Sequence, residues 1–302
     1  MAFNFSVFKV RALSAIVFVF IMLAGLLFNN WSFFALFLVI QVGCLFEYQK
    51  LMRAIFPSYA QISKLHQWGV FVVGVLMMLS LAPSDIALPT TLLQKLPLAY
   101  QSIGLRWIGL KLMPVALVLM MIADVFARKA DIKNLAISFF GFIYITISLS
   151  LFYAMRGMFL NAGMAMFFPN IELMVPILVI ATVWVNDTMA YIVGSFIGRT
   201  PISPISPKKT WEGTIAGVVL SVVILSFVAG QYIPIASKYL YMITFIASVM
   251  GNLGDLFESK LKRLAGVKDS GSMMPGHGGF LDRFDSILFA GPFVWILLQF
   301  IF

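Results

Sequence analysis

Long apolar runs separated by short polar segments set the pattern of this chain. The runs are continuous rather than alternating, and each comes close to the roughly 20 residues that a helix needs to cross a bilayer core about 30 Å thick. They predict an all-α integral membrane protein with about nine transmembrane helices. The approximate bounds of these spans are 11–28, 31–47, 67–83, 106–127, 134–154, 173–198, 212–230, 238–256 and 285–302.

Composition supports this class of protein. Of the 302 residues, 61% are hydrophobic and 11% are charged, whereas soluble domains carry roughly 25% charged residues. Lys9 and Arg11 precede the first apolar run as in a secretory signal, but no small-residue cleavage site follows it, so we expect an uncleaved span. Cys44 is the only cysteine, and its apolar neighbours predict a packing role rather than a reactive thiol.

The net charge of +9 has two explanations, membrane topology and, less well, binding to nucleic acid. When the nine spans alternate in direction, sixteen of the 21 Lys and Arg residues fall on the side of the N-terminus and five on the other side. This bias predicts a cytoplasmic N-terminus and a C-terminus outside. The two polar connections 199–212 and 257–284 then face the cytoplasm. We therefore expect the lipid bilayer as a partner and no nucleic acid.

The first of these connections reads RTPISPISPKKTWEG over residues 199–213. Three prolines exclude a helix, so we predict an ordered loop whose backbone N–H groups, hydroxyl groups and two lysines, Lys208 and Lys209, suit an anion. Thr210 is the predicted N-cap of the next helix, with Glu212 in its first turn. The alternative is a basic loop drawn to anionic lipid. The prolines favour the rigid binding loop.

An aspartate lies deep within the sixth apolar run. Asp187 follows Asn186 and stands on the order of 18 Å from the end of the predicted helix. An ionisable residue at that depth is costly, which favours a functional role over a buried structural pair. Tyr191 comes four residues later and therefore shares the face of Asp187.

Three further aspartates mark the ends of the last two spans. Asp255 shares a helix face with Ser259 at the end of the eighth span, and Asp282 and Asp285 are i, i+3 neighbours at the start of the ninth. Because these two helices run in opposite directions, we expect the three carboxylates to converge. Such a group beside Lys and Arg predicts a divalent cation that bridges phosphates. The alternative, helix capping and surface ion pairs, explains one aspartate but not all three.

The segment between these spans contains His277 among glycines, in MMPGHGGF. Glycines suit a loop that lines a ligand, although an ordinary turn needs them as well. A lone histidine is a poor zinc site, so we expect it to contact phosphate or to act as an acid or base. Residues 256–266 mix apolar and basic side chains and are expected to lie along the membrane interface. That arrangement would hold Lys260, Lys262 and Arg263 at headgroup height.

Two motifs in this part of the chain resemble those of a known family. Residues 259–285 read SKLKRLAGVKDSGSMMPGHGGFLDRFD, and residues 206–213 read SPKKTWEG. Both resemble the signature segments of the phosphatidate cytidylyltransferases, or CDP-diacylglycerol synthases, with Met274 as a conservative departure. The resemblance implies that CTP and phosphatidate react to give CDP-diacylglycerol and pyrophosphate. The lipid phosphate is then the nucleophile, so no Ser, Cys or His nucleophile is required.

The resemblance also implies a role for each matched residue. Mg²⁺ would be held by Asp255, Asp282 and Asp285, with a second cation left open. The catalytic group would add Asp187, which lines the same cavity, and Lys209. The CTP phosphates would contact Ser206, Lys208, Lys209 and Thr210, with Glu212 positioning the loop. The phosphatidate headgroup would meet Lys260, Lys262 and Arg263. Further candidates for substrate binding are Ser259, Lys268, His277 and Arg283.

These expectations divide the chain into two regions. Residues 1–170 would form a transmembrane scaffold of about five spans, and residues 171–302 a catalytic region of about four spans. We expect a multi-pass protein of a bacterial inner membrane whose active site faces the cytoplasm. Two other classes of protein stay open: a CTP-dependent kinase of prenol-type lipids, and a membrane transporter. The sequence does not decide whether the protein forms a homodimer.

Overall fold

The computed structural model describes residues 5–82, 104–127, 131–161, 171–273 and 278–302. Within these ranges the chain forms ten α-helices and no β-sheet. The helices are α1 Phe5–Leu27, α2 Asn30–Ile55, α3 Lys64–Ser80, α4 Leu105–Phe126, α5 Ile132–Gly141, α6 Ser148–Asn161, α7 Ile171–Ile197, α8 Trp211–Ala229, α9 Ser237–Leu264 and α10 Leu281–Ile301. A π-helical segment, Phe142–Ile147, joins α5 to α6 without a break.

Length and apolar composition show which helices suit a bilayer. Seven helical units of the described chain are long and apolar enough to cross it, namely α2, α4, the combined α5 and α6, α7, α8, α9 and α10. Two shorter apolar helices are α3 and the Leu13–Leu27 part of α1. The predicted all-α, multi-pass membrane protein is therefore confirmed. A total of nine spans also requires both shorter helices to cross.

The helix ends differ from the predicted spans at two places that matter for the site. α2 continues beyond residue 47 to Ile55 and ends just before Pro57, where the preceding Phe56 is extended. α9 continues to Leu264 as one unbroken helix. Residues 257–264 are therefore helical, and the prediction of a loop starting at 257 was wrong, because the loop begins only after Leu264.

Local chemistry explains why α9 extends so far. Its last turns contain good helix formers and a Glu258–Lys262 ion pair at i, i+4. The last helical residue is Leu264, and the chain turns away at Gly266. The φ of Gly266 is 71°, the left-handed conformation that glycine adopts without strain. The Val267 N–H donates back to the Lys262 carbonyl at 2.9 Å, which completes this termination. Hydropathy alone does not detect such a polar helix end.

Small residues bring the helices of the C-terminal region close together. A Cβ placed on Gly217 of α8 would lie 2.7 Å from the Asn186 carbonyl of α7. A Cβ on Gly254 of α9 would lie 2.5 Å from the Asp285 carbonyl of α10. Because these positions have no side chain, the backbones approach closely, as in other membrane helix pairs. The close approach at Gly254 brings Asp255 near the start of α10.

The N-terminal helix α2 contacts the helices of the C-terminal region directly. Phe37 of α2 stacks on Phe152 of α6 with ring centroids 5.0 Å apart. Further along α2, Gly43 faces the ring of Phe280, and a Cβ there would collide with it. Cys44 is fully buried, as its predicted packing role requires. α2 thus runs from the aromatic core to the start of α10.

A buried polar cluster connects three of the N-terminal helices. His66 of α3 contacts Asp124 of α4 through Nδ1 at 2.7 Å and Ser138 of α5 through Nε2 at 2.9 Å. The Ser138 hydroxyl also contacts the hydroxyl of Tyr59 at 2.9 Å. Burial raises the pKa of Tyr59 above its usual value, so its hydroxyl stays neutral. The cluster joins α3, α4 and α5 by buried hydrogen bonds.

We expect Asp124→Ala to destabilise the protein without altering the site in the C-terminal region. The substitution leaves a buried histidine without its carboxylate partner, which costs about 3 kcal/mol. Thermal unfolding in detergent measures the effect as a lower midpoint. Asp131→Ala is the control. Asp131 is the exposed N-cap of α5 and accepts a hydrogen bond from the Lys133 N–H, and the loss of such a cap costs about 1 kcal/mol. Equal shifts for the two variants would contradict the importance of the buried cluster.

Candidate functional site

A cavity of about 600 Å³ lies where α7, α8, α9 and α10 meet the loop before α8. Four carboxylates line it, namely Asp187 on α7, Asp255 on α9, and Asp282 and Asp285 on α10. Apolar side chains such as Phe18 and Ile287 form another part of its wall. The four aspartates selected from the sequence therefore face one space. This space combines negative charge with an apolar surface.

The loop of residues 198–210 forms the opposite side of the cavity. Its two ends pair with each other, because the Ile202 N–H donates to the Lys209 carbonyl and the Trp211 N–H to the Thr200 carbonyl, both at 2.9 Å. The loop is thus turn-rich and ordered, as its prolines predict. Four of its residues line the cavity, namely Ser206, Lys208, Lys209 and Thr210.

Two residues at the start of α8 position this loop. The Thr210 hydroxyl accepts a hydrogen bond from the Gly213 N–H at 3.3 Å, which confirms it as the N-cap. The Glu212 carboxylate accepts hydrogen bonds from the Arg199 N–H and the Thr200 N–H at 3.2 Å, and from the Thr200 hydroxyl at 2.8 Å. Glu212 therefore attaches the beginning of the loop to its end.

An ion pair joins the basic loop to the acidic helices. The ammonium group of Lys209 contacts the carboxylate of Asp255, and each side chain is 26% exposed. The other oxygen of Asp255 accepts a hydrogen bond from the Ser259 hydroxyl at 3.3 Å. The predicted pairing of Asp255 and Ser259 on one face is confirmed. Positive and negative groups thus meet inside the cavity rather than on separate surfaces.

Asp282 is enclosed by hydrogen-bond donors. Its Oδ2 accepts from the Ser270 N–H at 2.9 Å, the Ser270 hydroxyl at 2.9 Å and the Gly279 N–H at 2.7 Å, while its Oδ1 faces Lys262 at 2.6 Å. Gly278, with a φ of 83°, makes room for it, because a Cβ there would lie 2.5 Å from Oδ2. Both oxygens already have partners.

Asp285 lies one turn further along α10, among other acids. Its carboxylate interacts electrostatically with those of Asp255, Glu258 and Asp187, and its Oδ1 accepts from the Ser286 N–H at 2.6 Å. Within the described ranges, no three Asp, Glu, His or Cys side chains are arranged to hold one metal ion. Asp255, Asp282 and Asp285 therefore share a cavity without forming the compact triad expected from the sequence. Asp255 is engaged by Lys209, and Asp282 by Lys262 together with donors from Ser270 and Gly279.

The three basic residues predicted to meet the lipid headgroup, Lys260, Lys262 and Arg263, do not form one surface. Lys262 is only 12% exposed and makes ion pairs with Glu258 at 2.5 Å and Asp282 at 2.6 Å. Lys260 and Arg263 are exposed on the same helix. Lys262 therefore belongs to the internal charge network, whereas the other two face outward.

The remaining predicted residues are placed as follows. Arg283 lines the cavity and is exposed, and Lys268 is exposed outside the cavity. Asn186 exchanges hydrogen bonds with Asn252 at 3.2 and 3.3 Å and also donates to Asp187 at 3.1 Å. Asn186 thus makes the hydrogen bond to Asp187 that the structural alternative proposed, while Asp187 also faces the cavity. His277 lies outside the described residues.

The sequence did not single out Glu47, in the helix α2. Its buried carboxylate accepts hydrogen bonds from Ser270 and from the backbone at the start of α10. It contacts residues more than two hundred positions away, so no local motif identifies it. The only local signal is an acidic residue at the end of an otherwise apolar run.

Comparison with known proteins adds to this geometry. A model of the cytidylyltransferase family matches residues 9–301. The chain belongs to this family. The match includes α2 with Glu47 as well as all the helices around the cavity, so the family pattern extends over the N-terminal helices and the C-terminal region.

Individual relatives of this chain carry a more specific name. The phosphatidate cytidylyltransferase of Bacillus subtilis is 50% identical over 118 residues, which are 38% of this chain and 44% of that protein. The protein of the same name from Synechocystis is 46% identical over 127 residues, or 41% of this chain and 42% of that protein. The one from Helicobacter pylori is 41% identical over 128 residues, or 40% and 48%. The aligned part of the chain spans less than half of the length of each relative.

Proposed function

We propose that this cytidylyltransferase acts on phosphatidate. In this reaction an oxygen of the lipid phosphate attacks the α-phosphorus of CTP, the bond between the α-phosphorus and the bridging oxygen to the β-phosphorus breaks, and pyrophosphate leaves. The products are CDP-diacylglycerol and pyrophosphate. The names of the relatives from Bacillus subtilis, Synechocystis and Helicobacter pylori support the choice of phosphatidate.

The observation that carries this proposal is the contact of Lys209 with Asp255 inside one cavity. It places a loop of hydroxyl groups and lysines opposite a group of carboxylates. A nucleoside triphosphate is a ligand that needs both groups. Lysines and hydroxyl groups bind its phosphates directly, and carboxylates can hold the divalent cation that accompanies them. The apolar part of the wall suits a lipid substrate that enters from the bilayer.

The residues of the chain contribute positioning and charge. Ser206, Thr210 and the two loop lysines orient the phosphates of CTP so that the α-phosphorus faces the incoming lipid phosphate. Arg283 lines the same space and adds positive charge for the anionic lipid. Lys260 and Arg263 are exposed near the end of α9, where headgroups are expected. Catalysis by such a site consists of orientation and electrostatic stabilisation, without a covalent intermediate.

Magnesium fits the charge of this site. Asp255 and Asp285, which interact with each other and face the cavity, would hold the ion, since Mg²⁺ takes one or two carboxylates and completes its octahedron with water and substrate phosphates. Bound there, it would neutralise charge on the phosphates. Asp255 is paired with Lys209 and Asp282 with Lys262, so each of these two carboxylates would bind the ion through the oxygen that its lysine contacts only when that lysine moves aside. The hydrogen bonds of Asp282 otherwise hold the start of α10, which carries Asp285.

Labelled CTP tests the reaction. Purified protein in detergent is given phosphatidate, Mg²⁺ and CTP labelled either in cytidine or at the γ-phosphate. We expect the cytidine label in the lipid phase and the γ-label in pyrophosphate. Entry of the γ-label into the lipid would instead identify a lipid kinase. Entry of neither label with folded protein would contradict an enzyme of this kind and direct attention to transport.

Glu212→Gln is expected to raise the KM for CTP about tenfold while kcat changes little. The amide oxygen can still accept from the Arg199 and Thr200 N–H groups, and its NH₂ group can donate to the Thr200 hydroxyl, but these hydrogen bonds lose the negative charge that strengthens them. The weaker anchor of the loop corresponds to roughly 1.4 kcal/mol, which is tenfold in KM. Steady-state kinetics at varied CTP measure the change. Glu172→Gln, at the far end of α7, serves as the control.

We also propose that both shorter helices cross the bilayer, which gives nine spans with the cavity on the cytoplasmic side. The bias of Lys and Arg supports this orientation. Pro204→Cys in the loop and Lys238→Cys at the start of α9 test it, because both positions are exposed and the native Cys44 is buried. An impermeant maleimide added outside intact cells is expected to label position 238 alone. Labelling of position 204 from outside would reverse the orientation.

A further inference from the structure

The structure assigns Glu47 of α2 as a positioning residue for the reaction. We infer that it holds the start of α10 and the segment around Ser270 so that Asp282 and Asp285 present their carboxylates to the cavity. This inference rests on the proposed cytidylyl transfer. It gives the N-terminal helices a part in catalysis beyond that of a scaffold.

The first argument is the capping of α10. The residue at its N-cap, Phe280, makes no capping hydrogen bond with its side chain. Glu47 supplies the missing acceptor from another helix, because its Oε1 accepts from the Phe280 N–H and its Oε2 from the Leu281 N–H, both at 2.9 Å. A carboxylate at this end also interacts favourably with the helix dipole. The orientation of the first turn of α10, which contains Asp282, therefore depends on α2.

The second argument is a direct connection to Asp282. The Ser270 hydroxyl lies 2.6 Å from Oε2 of Glu47 and 2.9 Å from Oδ2 of Asp282. A hydroxyl has one proton, so the two carboxylates share it. Asp282 in turn contacts Lys262, which pairs with Glu258. A continuous chain of contacts therefore runs from Glu47 through Ser270 to Asp282, which lines the cavity, and on to Lys262 and Glu258.

The third argument is the shape of the surrounding backbone. A Cβ on Gly271 or on Gly279 would collide with the carboxylate of Glu47. Glycine at these two positions lets the backbone close around the carboxylate from both sides. The side chain is 6% exposed, and its charge is met by backbone and hydroxyl donors. Such a fitted, satisfied carboxylate fixes its surroundings more strongly than a surface cap does.

Glu47→Gln tests the assignment. Each oxygen of Glu47 accepts from an N–H group, so the NH₂ group of glutamine must oppose one of these donors. The matched control is Tyr48→Phe, the next residue of α2, which loses one buried hydrogen bond to the Ile137 carbonyl far from the loop. Five quantities are measured for both variants: the thermal midpoint, the hydrogen–deuterium exchange of residues 278–285, kcat, KM, and the Mg²⁺ concentration that gives the half-maximal rate.

We expect Glu47→Gln to exchange the Phe280 and Leu281 amides about tenfold faster and to lower kcat about a hundredfold. The Mg²⁺ requirement should rise, since Asp285 directly follows the loosened first turn of α10. Tyr48→Phe should share any small loss of thermal stability but none of these changes. If Glu47→Gln behaves like Tyr48→Phe in exchange and in kcat, Glu47 is a structural residue only. Faster exchange with normal kcat would equally overturn its part in catalysis.

A second variant covers the case in which Glu47→Gln does not fold. Ser270→Ala keeps the cap on α10 but removes the hydroxyl between the two carboxylates, and it is expected to lower kcat about tenfold with a normal KM for CTP. An unchanged kcat overturns the connection through Ser270. If the unaltered protein forms no CDP-lipid, the proposed reaction fails, whereas the exchange data still decide whether Glu47 positions α10.

Discussion

Asp285→Asn is expected to lower cytidylyl transfer about a thousandfold while the protein stays folded. The reason is charge rather than shape. An amide is nearly isosteric with the carboxylate, and its oxygen can still accept from the Ser286 N–H. It is, however, a much weaker ligand for a hard cation. Losing metal stabilisation of the phosphates is worth several kcal/mol, and about 4 kcal/mol is a thousandfold in rate.

Transfer of cytidine label to phosphatidate at several Mg²⁺ concentrations measures this effect. Glu172→Gln is the control and should retain the full rate, because Glu172 lies in the first turn of α7, at the end of the helix away from the cavity. Asp255→Asn is expected to resemble Asp285→Asn, because the two carboxylates interact across the cavity. If Asp285→Asn keeps more than a tenth of the rate at saturating Mg²⁺, Asp285 is not a ligand of the catalytic ion.

The sequence predicted the helices well and their ends less well. Each of the nine apolar runs corresponds to a helix, with α5, the π-helical segment and α6 forming one run. α9 exceeded its prediction because its last turns are polar but contain strong helix formers and an internal ion pair. Hydropathy detects apolar stretches and does not detect a helix end that contains polar residues. The extra turns of α2 beyond residue 47 likewise contain the polar residues Gln49, Lys50 and Arg53, although several side chains of these turns are buried.

The site was predictable where its chemistry is local in the chain. Thr210 as a cap and Glu212 in the first turn depend on neighbours within about fifteen positions, and both lie as expected. Lys262 has the same appearance in the sequence as Lys260, yet one is buried in ion pairs and the other exposed. Their difference arises from which side of α9 faces α10. Glu47 was missed for a similar reason, because its partners come from the other end of the chain.

Lys209→Met is expected to reduce kcat/KM for CTP by about a hundredfold or more. Lys209 is the residue of the basic loop that directly contacts a carboxylate of the site. Its removal takes away a positive group from the nucleotide phosphates and leaves the carboxylates of Asp255 and Asp285 without that counter-charge. Removal of one preorganised group that stabilises developing charge typically costs 10²–10³ in rate. Lys238→Met, on an exposed lysine at the opposite end of α9, should have no such effect.

The double variant Lys209→Met with Asp255→Asn separates the two roles of this lysine. If Lys209 acts mainly by neutralising Asp255, removing both charges costs little more than removing one, because the effects of paired residues are not additive. If it acts mainly by contacting phosphate, the double variant falls well below either single variant. We expect the second result, since the loop that carries Lys209 also presents Ser206, Lys208 and Thr210 to the same cavity. A rate restored toward that of the unaltered protein would make Lys209 a partner of Asp255 alone and remove it from the nucleotide site.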